Sequence, residues 1–144
     1  MAITDSVATL KQKNSRDQGI IDSENATVQE LCNQIGRLQC AYNLMQAYAT
    51  EVVDTYSDHT LWDPYIEDTR WVGNTQLEFA DSIYQNFGDS IGKLGNDIIN
   101  YRDAITIKIG ELQGQIDDLN WDISLRESAI SIRKKEIRAK EFFS

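Results

Sequence analysis

The sequence predicts an all-α fold: a long antiparallel two-helix hairpin, coiled-coil-like, with a Trp-x-Gly bend. Three observations predict it. Apolar residues repeat as a heptad through residues 3–57, a second such pattern runs through residues 76–142, and the only proline, Pro64, falls between them. Proline restricts the residue before it and interrupts a helix, so the two patterns belong to separate helices. We predict a single helical-hairpin domain over residues 1–144.

The first arm, about residues 3–57, has a sustained heptad when Val7 is taken as an a position. The a positions are Val7, Asn14, Ile21, Val28, Ile35, Tyr42 and Ala49, and the d positions are Leu10, Asp17, Glu24, Leu31, Leu38, Met45 and Val52. All but three of these residues are apolar. A heptad sustained over such a length is typical of a long helix packed against another helix.

An aromatic connector, about residues 58–75, separates the two arms. It contains Pro64 and ends in a Trp-x-Gly motif made by Trp71 and Gly73. Glycine lets the chain reverse without Cβ strain, and an indole pins a bend by packing across both helix ends. We predict that Trp71, Gly73 and Phe79 form the bend of the hairpin.

The second arm, about residues 76–142, carries an apolar stripe with steps of three and four residues up to Ile123 and steps of seven from there to Ile137. Its members are Tyr84, Phe87, Ile91, Leu94, Ile98, Tyr101, Ile105, Ile109, Leu112, Ile116, Leu119, Ile123, Ile130 and Ile137. Two consecutive steps of four, from Tyr101 to Ile105 and from Ile105 to Ile109, form a stutter. A stutter predicts local unwinding of the supercoil at this point.

Polar residues interrupt both stripes. Asn14, Asp17 and Glu24 do so in the first arm, and Arg126 and Arg133 occupy d positions in the second, followed by Lys140. Antiparallel arms bring these two groups to the same end of the hairpin. We therefore expect a charge-complementary polar seam there, with a role in helix register and partner choice.

Composition and charge exclude several classes of protein. The formal net charge of -9 argues against binding to nucleic acid or anionic membranes. No apolar run approaches the length of a membrane span, and residues 1–5 lack the features of a cleavable signal peptide. Cys32 and Cys40 would lie about 12 Å apart on one helix, too far for a disulfide. We expect a protein made in the cytoplasm with reduced thiols.

No constellation of residues points to catalysis, a cofactor or a metal ion. Motifs for phosphate, dinucleotide, zinc or hydrolase sites are absent from the sequence. His59, the only histidine, is either a base or metal ligand beside Asp58 or an ordinary loop residue, and we favour the latter. We expect a protein that is not an enzyme.

Apolar residues outside the predicted seam are the strongest indication of function. A two-helix hairpin hides one stripe on each helix, so a second stripe faces a partner or a symmetry mate, or remains in water at a cost. The candidate interface residues are Leu44, Tyr48, Ile83, Ile99, Ile107, Trp121 and Leu125. We expect a helical protein partner, or a homo-oligomer where that partner is missing.

Two long helices around a central Trp-x-Gly motif resemble the WXG superfamily of bacterial type VII secretion proteins. The residues that carry the resemblance are Trp71 and Gly73, then Phe79 and Tyr84, and the isoleucine-rich stripe from Ile91. The arms are longer than usual, and the chain is more similar to the helical-hairpin partners encoded beside LXG toxins. The resemblance implies a helical adaptor that binds a toxin's helical N-terminal domain or another small WXG-like protein.

One family feature is missing. The export signal of the family is Tyr or Phe followed four residues later by an acid, and no Tyr or Phe here has that spacing. Either the partner carries the signal, or the protein is a targeting factor that does not present it, or the chain lies outside the family. The alternative function is a structural coiled-coil scaffold or homodimeric assembly protein, in which Trp71 merely caps a hairpin.

Overall fold

The computed structural model describes the backbone of residues 5–57 and 74–143. Side chains are described for residues 5–54 and 85–143. Outside these ranges lie the predicted bend residues Trp71 and Gly73, together with His59, and also the side chains of Phe79, Ile83 and Tyr84.

Two long helices make up the described chain. Helix α1 comprises Val7–Ser57, with 51 residues, and helix α2 comprises Asn74–Phe143, with 70 residues. No strand occurs within residues 5–57 or 74–143. The predicted all-α helical hairpin is confirmed, and α2 begins two residues before the predicted start of the second arm.

Ser6 fixes the beginning of α1. Its hydroxyl accepts a hydrogen bond from the backbone N–H of Thr9 at 3.2 Å, and its carbonyl accepts one from the backbone N–H of Leu10 at 2.9 Å. Serine at this position satisfies a backbone donor that the first turn of a helix leaves without a partner. The helix therefore starts at Val7 rather than at residue 3.

The hairpin divides into two compact units, each made of one piece of α1 and one piece of α2. Unit 1 contains α1 up to Arg37 and α2 from Gly110, and unit 2 contains α1 from Leu38 and α2 up to Ile109. Both units are antiparallel. In unit 1 Lys11 pairs with Glu141 and Asp17 pairs with Arg126, whereas in unit 2 Arg102 donates a hydrogen bond to Gln46.

The seam of α1 follows the predicted heptad throughout. Every predicted a and d position from Val7 to Val52 is buried or half-buried. Leu10, Ile21 and Leu31 are the most buried, and all three belong to unit 1. The side chains between these positions are mostly exposed, so the heptad alone identifies the face of α1 that packs against α2.

The predicted seam of α2 is wrong at Phe87, Leu94 and Tyr101, whereas Ile91, Ile98 and Ile105 are buried or half-buried as predicted. Phe87, Leu94 and Tyr101 are exposed, and the residues that follow them, Gly88, Gly95 and Arg102, are half-buried. One set of buried and half-buried positions therefore repeats at alternating steps of three and four from Gly88 to Lys140 without a stutter, and Asp122, Ala129 and Glu136 are half-buried beside it. The seam of α2 follows a constant period of seven residues. The large side chains of Phe87, Leu94 and Tyr101 each lie one residue before a seam position.

Gly95 in the seam of unit 2 provides a test of how closely α1 and α2 pack there. A Cβ atom added at Gly95 would lie 3.4 Å from Cγ1 of Val52, near the limit of ordinary contact. Glycine costs a helix interior about 1 kcal/mol relative to alanine, so Gly95→Ala is expected to raise the free energy of unfolding by about that amount. Urea denaturation followed by circular dichroism measures this free energy.

Gly92→Ala is the matched control for helix propensity alone, because a Cβ atom added at Gly92 meets no atom within 4 Å. A loss of stability in Gly95→Ala but not in Gly92→Ala would contradict the expected packing.

Candidate protein-interaction site

An isoleucine cluster forms the core of unit 1. Ile21 of α1 packs with Ile123 and Ile130 of α2, and the half-buried Val28 lies against them. Only 2 % of the surface of Ile21 is exposed. β-branched side chains are stiff at χ1, so this packing holds the two helices of unit 1 in a defined pairing.

An ionic cluster lies next to this core and consists of Asp17, Glu24, Asp122, Arg126 and Arg133. Arg126 Nη1 donates to Asp17 Oδ1 at 2.9 Å, and its Nε donates to Asp122 Oδ2 at 2.7 Å. Arg133 donates to the second oxygen of Asp17. The carboxylate of Asp17 thus joins the two arginines that the sequence places in the seam. Arg133 also approaches Asn14 Oδ1 at 3.5 Å, which completes the set of predicted polar seam residues.

Glu24 is the member of the ionic cluster whose carboxylate is least well paired. Its Oε1 lies 3.7 Å from Arg126 Nε, and its Oε2 is buried without a hydrogen-bond partner. A proton on Glu24 would make a hydrogen bond to Asp122, and this bond, followed by burial and the charge of Asp122, raises the pKa of Glu24. The same bond and the guanidinium of Arg126 lower the pKa of Asp122.

This arrangement predicts a pH-dependent gain from Glu24→Gln. A glutamine amide donates to Asp122 at every pH, whereas Glu24 donates only when protonated. Because the folded pKa of Glu24 is raised, its contribution is complete below its ordinary value of 4.5 and is lost as pH rises through the folded pKa. We expect Glu24→Gln to be more stable than the parent chain at neutral pH and to lose this advantage in acid.

Urea denaturation at a series of pH values measures the difference. Glu127→Gln, at an exposed position of α2, is the matched control for the loss of one negative charge. A Glu24→Gln chain that is less stable than the parent at neutral pH would show that the ionised Glu24 is stabilised by Arg126 instead.

Exposed apolar residues form a stripe along α2 in unit 1. The stripe consists of Trp121, Leu125 and Ile132, and we name it the Trp121 stripe. Their spacing of four and seven residues places them on one side of the helix, away from the seam. Trp121 is 68 % exposed, which is unusual for a side chain with so large an apolar surface.

Unit 2 carries an apolar groove between α1 and α2. Its volume is about 530 Å³, and it is lined by Met45, Tyr48, Glu51, Val52, Leu94, Asp97, Ile98 and Tyr101. Tyr48 is 46 % exposed, Leu94 51 % and Tyr101 66 %. These three side chains flank the seam on one side and leave a concave surface that the residues described by the structure do not cover.

The predicted interface residues are distributed over both units. Tyr48 lines the apolar groove, and Trp121 and Leu125 belong to the Trp121 stripe. Leu44, Ile99 and Ile107 are also exposed. The side chain of Ile83 lies outside the described residues.

Sequence reasoning missed Leu94 and Tyr101 as surface residues because they were assigned to the seam. It also missed Ile132, which is 65 % exposed. Extending the strict heptad backwards from Ile109 would have placed Gly95 in the seam and left Leu94 outside it. The heptad period of the downstream residues therefore indicates the correct seam. The large apolar side chains of Leu94 and Tyr101 favoured the wrong positions.

Other features of the described residues add no chemistry. No group of three or more His, Cys, Asp or Glu residues within them is arranged to hold a metal ion. Cys32 and Cys40 are free and exposed. In the described part of the chain, neither helix contains a stretch apolar enough to cross a membrane.

Comparisons with known proteins assign no role to the Trp121 stripe or to the apolar groove. No protein-family model matches the sequence, and neither curated proteins nor solved structures give a match.

Proposed function

We propose that this chain is a non-enzymatic WXG-like adaptor for type VII secretion. It binds the helical N-terminal domain of a secreted toxin, or another small WXG-like protein, and helps to present it for export. The observation that carries the proposal is the set of large apolar side chains outside the seam in both units. Packing such side chains against a partner helix removes them from water, which is the main driving force of association.

The test is co-expression with the partner that the proposal names. The chain is produced with the helical N-terminal domain of a toxin encoded beside it, and the mixture is separated by size-exclusion chromatography with light scattering. A complex of defined mass supports the proposal. If the chain forms no complex with any such domain or with any small helical protein encoded nearby, the proposal fails.

Trp71→Ala tests the resemblance on which the family assignment depends. Truncation of a well-packed tryptophan costs about 3 kcal/mol. We expect partner binding to fall while the helix content measured by circular dichroism largely survives. Unchanged stability together with unchanged partner binding would remove the main support for the WXG assignment.

A homodimeric coiled-coil scaffold is the second candidate. The Trp121 stripe favours it, because a stripe on one helix face can pair with its own copy across a two-fold axis. Sedimentation equilibrium of the free chain distinguishes the two functions. A tight dimer that Trp121→Ser dissociates supports the scaffold, and a monomer that pairs only with the co-expressed partner supports the adaptor.

A further inference from the structure

The large side chains beside the seam of unit 2 form a second heptad. Phe87, Leu94 and Tyr101 are spaced by seven residues and lie on one side of α2, immediately before the seam positions. A stripe with this period follows a helix through two complete heptads, about 21 Å at 1.5 Å per residue. Side chains at a strict spacing of seven are what a neighbouring helix contacts in a coiled coil.

Helix α1 supplies the other wall of the apolar groove. Tyr48 faces the groove, and Leu44, one turn earlier, is 54 % exposed. Met45 and Ile98 form part of the lining from the seam itself. A helix laid along the groove would therefore contact both α1 and α2 and would complete a three-helix arrangement within unit 2.

Charge restricts what occupies the groove. Its lining contains two carboxylates, Glu51 and Asp97, and no basic side chain. Within the described part of the chain, neither carboxylate has a cationic partner, and both residues are exposed. Lysine or arginine beside the apolar stripe of an incoming helix would pair with them, whereas a second copy of the groove would bring carboxylates towards carboxylates.

We propose that the apolar groove of unit 2 binds one helix of a different protein, a helix with apolar residues at heptad spacing and flanking lysine or arginine. The proposal rests on the proposed adaptor function and names the surface and the chemistry by which the partner is recognised. Apolar contact supplies affinity, and the two carboxylates select among helices of similar apolar character.

The probe is a synthetic helical peptide of three heptads with Leu at a and d and Lys at the flanking e and g positions. A matched peptide carries Glu at those flanking positions. Fluorescence anisotropy with the full chain is expected to give at least about tenfold tighter binding of the Lys peptide. Glu51→Gln with Asp97→Asn should remove most of this difference, and equal binding of both peptides by the parent chain would overturn the charge argument.

Groove variants locate the binding surface. Leu94→Ala with Tyr101→Ala is expected to weaken binding of the Lys peptide at least about tenfold. Both side chains are exposed, so the fold should survive, and circular dichroism checks this. Leu125→Ala with Ile132→Ala, in the Trp121 stripe, is the matched control and should bind like the parent. Unchanged binding by the groove variant overturns the proposal, as does a dimer of the free chain that Leu94→Glu dissociates.

The outcomes separate this proposal from the proposed function. If a toxin domain binds the chain and the groove variant binds that domain equally well, the groove assignment fails and the adaptor function stands. If the groove binds the Lys peptide selectively but no toxin domain or small WXG-like protein forms a complex, the adaptor function fails and the recognition chemistry stands.

Discussion

Replacing Ile123 with alanine is expected to lower the free energy of unfolding of the chain by about 3 kcal/mol. Ile123 lies in the isoleucine cluster of unit 1 with Ile21 and Ile130, and only 7 % of its surface is exposed. The substitution removes three carbon atoms from a site where stiff β-branched neighbours close the gap only partly. Urea denaturation followed by circular dichroism measures the loss.

Leu125→Ala is the matched control. Leu125 lies two residues further along the same helix but is 52 % exposed, so its truncation should change stability by no more than about 0.5 kcal/mol. Equal losses in the two variants would mean that the Trp121 stripe is as well packed in the free chain as the seam, which the exposures contradict.

Asp17→Ala is expected to cost about 2 kcal/mol at neutral pH, the usual range for hydrogen bonds to a charged group. The substitution removes the carboxylate that joins Arg126 and Arg133. Arg126 keeps Asp122, whereas Arg133 loses its ion pair with Asp17, and a partly buried charge without a partner is costly. Asp22→Ala, which removes an exposed carboxylate of the same helix that accepts a hydrogen bond from Gln18, should have little effect.

The effect of Asp17→Ala depends on pH with a defined sign. Hydrogen bonds from Arg133 and Arg126 lower the pKa of Asp17. The contribution of Asp17 is therefore complete above its ordinary value of 3.8 and is lost as pH falls through the folded pKa. Urea denaturation should show the full difference between parent and variant at neutral pH and a smaller one below that value. A difference that is constant into strong acid would contradict the role of the ionised carboxylate.

The heptad of α1 was sufficient to predict its buried face, because the period alone determines which side of a helix meets its neighbour. The same reasoning failed in α2 at Leu94 and Tyr101. Two candidate stripes run there one residue apart, and local hydrophobicity favours the outer one. Two features decide which stripe packs against α1: the register of the isoleucines further along α2, and the contacts with α1 itself. A short stretch of sequence around Leu94 contains neither of these features.

The sequence predicts that Asp17, Glu24, Arg126 and Arg133 share one end of the hairpin, and they lie together in unit 1. Asp122, the fifth member of the ionic cluster, is not among the predicted residues. The sequence did not predict which groups pair, because the partners of Arg126 depend on how far α1 is shifted along α2. The proximity of Glu24 to Asp122 was not predicted either. The two carboxylates lie on the same guanidinium, with Glu24 Oε1 at 3.7 Å and Asp122 Oδ2 at 2.7 Å from Arg126 Nε.

The ionic cluster and the buried apolar residues beside it also restrict how α1 can shift along α2 while unit 1 folds. If α1 docks one heptad out of step in one direction, Leu10 takes the place of Asp17 beside Arg133, and Asn14 takes the buried place of Ile21. In the opposite direction Glu24 takes the place of Asp17, so a carboxylate still faces the arginines, but Asp17 then takes the buried place of Leu10, and Val28 fills the space of Ile21. Either slip therefore places a polar side chain at one of the most buried sites of unit 1, which is costly, so species with α1 shifted by one heptad in either direction should be short-lived.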